Sequence, residues 1–257
     1  MKEEIMENKK TSHARIAEEL IAKQRILADL IGSRPFHYVD YPMHGNVGDL
    51  LIMLGTLAFF KRSRLTPLLM SPYFSFKEEW VADGEAIVFH GGGNFGDLYP
   101  LYQQLRERVI AAKPGNRIII MPQTLHFSTP EKAAASAKVF RSHPDLHLCV
   151  RDAVSFELAR QFTDNVYLVP DMAHQLYPLR APATAPPKGT LLIRRVDDEG
   201  TQEAAGESFG ARTQTDWPEF VGEAGKNHRP VPPGERLAGQ AWPGKDGESL
   251  YFSALDA

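Results

Sequence analysis

Between residues 12 and 31 the apolar side chains of Ile16, Leu20, Ile21, Leu27, Leu30 and Ile31 recur at helical spacing, and Gly32 followed by Pro35 ends the run. This predicts an amphipathic leading helix within 1–35, docked on the main domain or a partner subunit, with a membrane-surface role as the alternative. From there the pattern changes to short apolar runs separated by helical periodicities. Strands are predicted over 36–41, 66–70, 86–90, 117–121, 147–150 and 166–169, and helices over 50–61, 98–112, 131–141 and 153–162. Strand and helix alternate, so residues 36–179 are expected to fold as an α/β lobe, a doubly wound parallel sheet of Rossmann-like type with helices on both faces. The connection over 72–85 is the least regular part.

The rest of the chain reads differently. Residues 180–188 combine Pro and Ala without periodicity and suggest a linker, and a strand-like run over 190–194 follows, so 180–199 reads as linker and start of a second lobe. The 58 residues from 200 to 257 hold nine Gly and five Pro but only eight Val, Ile, Leu, Met or Phe, too few for a second core. An irregular, disordered tail is expected there, with Trp217 and Trp242 as points that dock back.

Composition narrows the function classes. The chain has 257 residues, 43% of them hydrophobic and 24% charged, which is globular composition. Its formal net charge of −3 carries no footprint for nucleic acid. A lone cysteine, Cys149, excludes an internal disulfide and a multi-cysteine zinc site, and points to a cytoplasmic location. The first fifteen residues are mostly polar and predict no export signal, while the longest apolar stretch, 50–60, is too short to span a bilayer. Any membrane contact is expected to be peripheral.

The polar residues cluster by position. Five of the six predicted strands run into glycine or functional polar side chains at their carboxyl ends, the edge where doubly wound sheets bind ligands. These segments carry Gly45, Asn46, Gly48 and Asp49; then Gly91, Gly92, Gly93, Asn94 and Asp97; Gln123 and His126; Arg151 and Asp152; and Asp171. The segments 45–48 and 91–96 are each expected to be loops leading into helix N-termini, where free amides attract anions. Neither has Walker or dinucleotide spacing. Asp49, Asp97 and Asp171 are equally candidates for helix N-caps, and Arg151 for an anion ligand or for pairing with a carboxylate. His44, His90, His126 and His174 fall in or beside the same segments, but without His-x-x-x-His or His-x-His spacing no metal site is expected.

These residues resemble the polysaccharide pyruvyl transferase family. Gly45, Asn46, Val47, Gly48 and Asp49, then Gly91, Gly92, Gly93 and Asn94, Pro122 and Gln123, Arg151 to Ser155, and Pro170 to Ala173 stand in family order. The resemblance covers about 36–177, with 191–199 similar to the entry into the family's second domain, and is expected to stop at Glu199. It implies one lobe of a two-lobed architecture like the GT-B glycosyltransferases. The implied activity moves a pyruvyl group from phosphoenolpyruvate, as donor substrate and with no other cofactor, to a sugar of an exopolysaccharide or cell-wall glycan. A lipid-linked acceptor would place the protein at the inner face of the membrane. Candidate bases are Asp49, Asp97 and His126; substrate-binding candidates are Gly45, Asn46, Gly48, Gly91, Gly92, Gly93, Asn94, Gln123, Arg151 and Asp171. The family's Arg-Leu-His-Gly-like element has only Arg236, Leu237, Ala238 and Gly239 to answer it, without the histidine, so the chain is expected to be altered beyond Glu199 and inactive in that form. A nucleotide-sugar glycosyltransferase and a non-catalytic sugar-binding protein are the alternatives.

Overall fold

The computed structural model describes residues 2–44, 46–178, 191–193 and 213–215, with side chains over 13–44 and 46–178. The described residues fall into two compact units. One contains Met1–Pro42 and Leu51–Pro178; the other contains Met43–Leu50 and the described strands after residue 179.

The first unit is built on a parallel sheet. Its strands are β1 (Phe36–Val39), β2 (Leu69–Ser71), β3 (Ala86–Phe89), β4 (Gly92–Gly96), β5 (Ile118–His126), β6 (Leu146–Val150) and β7 (Val166–Leu168). Spatial order is β2-β1-β3-β5-β6-β7, and every pairing is parallel. The chain winds outward from β1 to β2 and then returns to the other side of β1 as β3, so the winding direction reverses between β1 and β3. That is the topological switch point of a doubly wound sheet.

Strand residues divide cleanly between two cores. Ile87, Phe89, Ile118, Ile120, Leu148 and Val150 face one cluster, while Tyr38, Val88, Ile119, Met121 and Cys149 face the other. Both faces are therefore buried, which is why these strands read as continuous apolar runs. Leu105, Val109 and Ile110 of α4 (Pro100–Ala112) and Phe140 of α5 (Pro130–Arg141) cover the first face, as does Ala159 of α6 (Ala153–Ala159). The second is covered by α2 (Arg25–Ile31) and α3 (Val47–Arg62) through Leu27, Ile31, Phe59 and Phe60. These two covers form the expected sandwich of helix, sheet and helix.

The leading helix is broken in two. α1 (Lys2–Lys23) ends at Gln24, and α2 carries the residues that enter the core. Gln24 is fully buried: its Nε2 donates to the Pro170 and Asp171 carbonyls at 3.2 and 2.7 Å, and its Oε1 accepts from Gln175 Nε2 at 2.6 Å. The break lets a polar side chain tie the leading segment to the loop after β7, so the segment docks on its own domain.

Two local expectations are corrected. The segment 91–96 is not a loop feeding a helix. Gly92–Gly96 continues the line of β3 as a strand that pairs with β5, and α4 starts only at Pro100. A run of glycines carries no strand signal, and only the partner strand supplies the missing hydrogen bonds. Similarly, α3 begins at Val47 rather than at residue 50, which places Asp49 inside the first turn.

In the second unit, β8 (Leu191–Ile193) pairs in parallel with β9 (Thr213–Thr215). The first matches the strand-like run at 190–194. The remaining expectations for the linker and tail, including Trp217 and Trp242, fall outside the described residues, as does Gly45.

Candidate active site

At the switch point the sheet edge holds a buried polar network. Asp40, directly after β1, takes φ 72°, a left-handed backbone that Asp tolerates better than most residues. It faces Arg106 of α4, and both side chains are fully buried. Arg106 Nη2 donates to Asp40 Oδ2 at 2.9 Å and to Asn94 Oδ1 at 2.5 Å, and Nη1 donates to the Asn94 carbonyl at 3.0 Å. Burial pulls the guanidinium below its ordinary pKa, and Asp40 opposes that shift. From the other side, Gln123 Nε2 donates to Asn94 Oδ1 at 3.0 Å and to the His90 carbonyl at 2.8 Å. His90 Nδ1 in turn meets the Tyr38 hydroxyl at 2.6 Å. Burial pushes the Tyr38 phenol well above its usual range, so Tyr38 donates and Nδ1 accepts. Arg106 of α4 and Gln123 of β5 thus hold Asn94 of the glycine-rich strand, and Asp40 and the His90 carbonyl hold those two in turn.

Asp40 and Arg106 were not among the residues singled out from sequence. One signal was available: Arg106 sits on the stripe of Leu105, Val109 and Ile110, where a charge must be paired if the stripe is buried.

A second group lies where β5, β6 and β7 end. Arg151 Nε donates to Thr124 Oγ1 at 2.8 Å, and Nη1 donates to Asp171 Oδ2 at 2.5 Å. Asp171 also accepts from the Ala173 amide at 2.9 Å, capping the short turn Met172–Leu176. Asp152 caps α6 through Ser155 N at 2.7 Å and accepts from Thr124 Oγ1 at 3.0 Å. Arg151 is therefore held on two sides. Its Nη2 has no hydrogen bond among the described residues and lies beside Gly93, 3.5 Å from where a Cβ would stand. Of the two readings of Arg151, the structure shows the pairing with a carboxylate, Asp171, and that pairing orients the guanidinium with its Nη2 toward Gly93. A groove of about 770 Å³ adjoins this group, lined by Arg151, Asp171, His174, Lys23, Leu168 and Val169 among others. It does not reach Asn94 or Gln123.

The glycines differ in their reasons. Gly92 and Gly96 have φ of 125° and 117°, so the backbone alone calls for glycine there, ahead of any ligand. A Gly92→Val change is consequently expected to harm folding as well as binding. Gly91 lies against the Pro122 carbonyl, which a Cβ would meet at 2.8 Å.

Asp97 is engaged elsewhere. It accepts from Ser128 Oγ, from Ser128 N at 2.9 Å and from Lys132 Nζ at 2.9 Å, and these bonds hold its carboxylate well below the usual range. A carboxylate so stabilised is a weak base. Its folded pKa is depressed, so its contribution to stability is complete above the unfolded value of about 4 and is lost as pH falls through the folded value. Thermal melts of Asp97→Asn should show a lower midpoint than the parent at pH 7 and convergence with it under strong acid; a gap unchanged in acid would remove this assignment. His126 ends β5 with its ring exposed.

In the other unit, Asn46 precedes α3 and its Oδ1 accepts from the Gly48 amide at 3.0 Å, so Asn46 supplies the capping bond expected of Asp49. Asp49 Oδ2 lies 3.7 Å from His44 Nε2, within the first helical turn, where the helix dipole favours a carboxylate.

Comparison with known proteins agrees with this fold and shows the family. A structure of an uncharacterised protein from Klebsiella pneumoniae aligns with a TM-score of 0.51 at 24% identity, covering 70% of this chain and 65% of that one, which supports the fold. EpsO of Bacillus subtilis, provisionally named a pyruvyl transferase, is 38% identical over 192 residues, 68% of this chain and 56% of its own length. Pyruvyl transferase 1 of Schizosaccharomyces pombe is 28% identical over 192 residues, 69% of this chain and 48% of its own. The chain spans about half the length of these curated relatives. The family model for polysaccharide pyruvyl transferases matches residues 46–230, so the likeness does not stop at Glu199 as the pattern alone suggested. With that match over most of its length, the chain belongs to the polysaccharide pyruvyl transferase family.

Proposed function

We infer that this protein transfers a pyruvyl group from phosphoenolpyruvate to hydroxyls of a glycan acceptor. The observation that carries the reading is Arg151, oriented by Thr124 and Asp171 with its Nη2 edge open beside Gly93 at the carboxyl edge of the sheet. The donor brings a carboxylate and a phosphate, and a pre-oriented guanidinium suits either. In the reaction an acceptor hydroxyl gives up its proton and bonds to C2 of the donor, the methylene carbon C3 takes a proton, and phosphate leaves with the C2–O bond electrons. A second acceptor hydroxyl then bonds to the electron-deficient C2 and gives its proton to the departing phosphate, which completes a cyclic ketal. The groups asked of the protein are a base, an acid and a cation for the departing phosphate, with no further cofactor.

Incubating the full chain with phosphoenolpyruvate and free or lipid-linked oligosaccharides, followed by mass analysis, tests the reading. A pyruvylated product with equimolar phosphate release is the expected result; phosphate-free reaction with a nucleotide sugar instead would overturn it. Arg151→Gln should reduce turnover while leaving the fold intact. A cytoplasmic location belongs to the same proposal and is supported by the lone cysteine, free and buried in the core. A lipid-linked acceptor at the inner membrane face is its finer form; among the described residues no helix is long and apolar enough to cross a membrane.

Asp49 is the first base to test. Because Asn46 already makes the capping bond, Asp49→Asn is expected to leave stability within about 0.5 kcal/mol. If Asp49 takes the acceptor proton, the same change should cut turnover by about 10² to 10⁴. Near-normal turnover would move the role to His126, since Asp97 is held too acidic to serve well.

A further inference from the structure

Large apolar side chains are exposed together at one place on the carboxyl edge of the sheet. Phe74 is 58% exposed, Leu98 48%, Tyr99 36% and Leu101 57%. They come from two segments. Tyr73 and Phe74 follow β2, and Leu98 to Tyr102 follow β4 into α4. The rings touch in sequence: Phe74 and Tyr73 are 5.3 Å apart edge-on, Tyr73 and Tyr102 are 4.6 Å apart, and Tyr102 and Tyr99 are 6.3 Å apart edge-on. The inward face of α4 is already served by Leu105, Val109 and Ile110, so Leu98, Tyr99 and Leu101 lie outside that core, while half-buried Tyr73 packs against it and anchors the exposed Phe74.

We propose that Tyr73, Phe74, Tyr99 and Tyr102, flanked by Leu98 and Leu101, form a stacking platform for sugar rings of the glycan acceptor, outside the reacting position. The proposal rests on the pyruvyl-transfer reading for the identity of the occupant. Its physical basis is separate. A pyranose presents a face of C–H groups, and aromatic faces take it. Rings held edge to face lose little freedom when a ligand lands on them, which favours binding. Ligand sites of this kind combine apolar and aromatic walls with few polar groups and occur at this edge of α/β sheets.

Continuity with the candidate site supports a glycan over other occupants. The strand that presents Gly93 beside Arg151 and carries the clamped Asn94 runs on to Leu98, a path of four residues spanning at most about 14 Å. That distance is a few sugar rings. An acceptor chain whose terminal residue lies at Asn94 would thus pass over the rings as it leaves. The platform is also firmly held. Ser75 N donates to the Pro72 carbonyl at 3.3 Å, the Ser71 and Ser75 hydroxyls meet at 3.0 Å, and Gly96 N donates to buried Gln103 Oε1 at 3.0 Å.

The test is direct binding, without donor, of a panel of hexasaccharides of glucose, galactose and N-acetylglucosamine to the full chain, followed by saturation-transfer NMR and titration. At least one should bind the wild type with saturation concentrated on ring C–H protons. A Phe74→Ala/Tyr99→Ala double variant should bind it at least about tenfold more weakly with an unchanged thermal midpoint. Phe74→Leu keeps the apolar character without the ring and should lose part of the affinity as well. Equal affinity in all three proteins, or a wild type that binds no member of the panel, overturns the platform. So does a change in sedimentation between wild type and double variant with no change in saccharide affinity, which would make the patch a contact between copies of the chain. Because no phosphoenolpyruvate is present, absence of pyruvyl transfer in the earlier assay and absence of saccharide binding in this one remain separate results.

Discussion

Replacing Arg106 with alanine should lower the unfolding free energy by about 3–5 kcal/mol, because it takes the paired cation away from the fully buried Asp40 and removes three hydrogen bonds. Arg106→Lys should lose less but still a large part, since an ammonium cannot reach Asp40 and both Asn94 oxygens as a planar fork does. The double variant Arg106→Ala/Asp40→Asn should recover part of the loss. Asn accepts the left-handed backbone at position 40 and leaves no buried charge. Urea denaturation of the wild type, Arg106→Ala, Asp40→Asn and the double variant measures this as a double-mutant cycle. A cost under about 1 kcal/mol for Arg106→Ala would mean that the pair contributes little beyond its own desolvation. The functional consequence expected follows from the partner, since Arg106 holds Asn94 on the strand that runs beside Arg151. Turnover of any variant that still folds should fall, and the fall should be recovered by Arg106→Lys only to the extent that Asn94 is held.

Gly96→Ala is expected to be more damaging than any other single methyl added to the glycine-rich strand, with a loss of about 4 kcal/mol or more. Its Cβ would stand 1.7 Å from the His126 carbonyl oxygen, and φ is 117°. The oxygen belongs to β5 and receives the Asp97 amide, so it cannot move without opening the β4–β5 pairing. Gly93→Ala is the matched control. Among the described residues only Arg151 Nη2 comes within 4 Å of where its Cβ would stand, at 3.5 Å, so stability should stay within about 1 kcal/mol of wild type. Binding of phosphoenolpyruvate should weaken at Gly93→Ala, because the methyl occupies space beside the open edge of the guanidinium. Chemical denaturation and donor titration on the two variants separate the roles. Equal stabilities for Gly96→Ala and wild type would contradict the close approach, and unaltered donor binding by Gly93→Ala would remove Arg151 from the donor site.

Much of this molecule was legible in the residue pattern. Alternating apolar runs and helical periods determined a parallel α/β lobe, because strands covered on both faces must be apolar at nearly every position, as 86–89 is throughout and 146–150 is apart from His147. The same pattern put glycine and polar side chains at strand ends, and a parallel sheet necessarily gathers those ends along one edge. Motif order was enough to name the family.

What the pattern could not contain was partnership. Gly92–Gly96 has no strand propensity of its own; it is a strand because β5 extends past β3 and offers unpaired backbone groups there. Asp97 looks from sequence like a cap or a base, and becomes an acidic ion-pair partner only because α5 brings Lys132 and its preceding turn brings Ser128 within bonding distance. Asp40 and Arg106 stand 66 positions apart. Nothing local marks them as a pair, and it is the winding of the chain around β1 and β3 that closes the distance. Sequence by itself determined which residues reach the carboxyl edge, since that depends on strand period and direction alone. Tertiary structure decided which of them hold one another and which, like the edge of Arg151 beside Gly93, are left facing outward, since that depends on contacts between elements far apart in the chain.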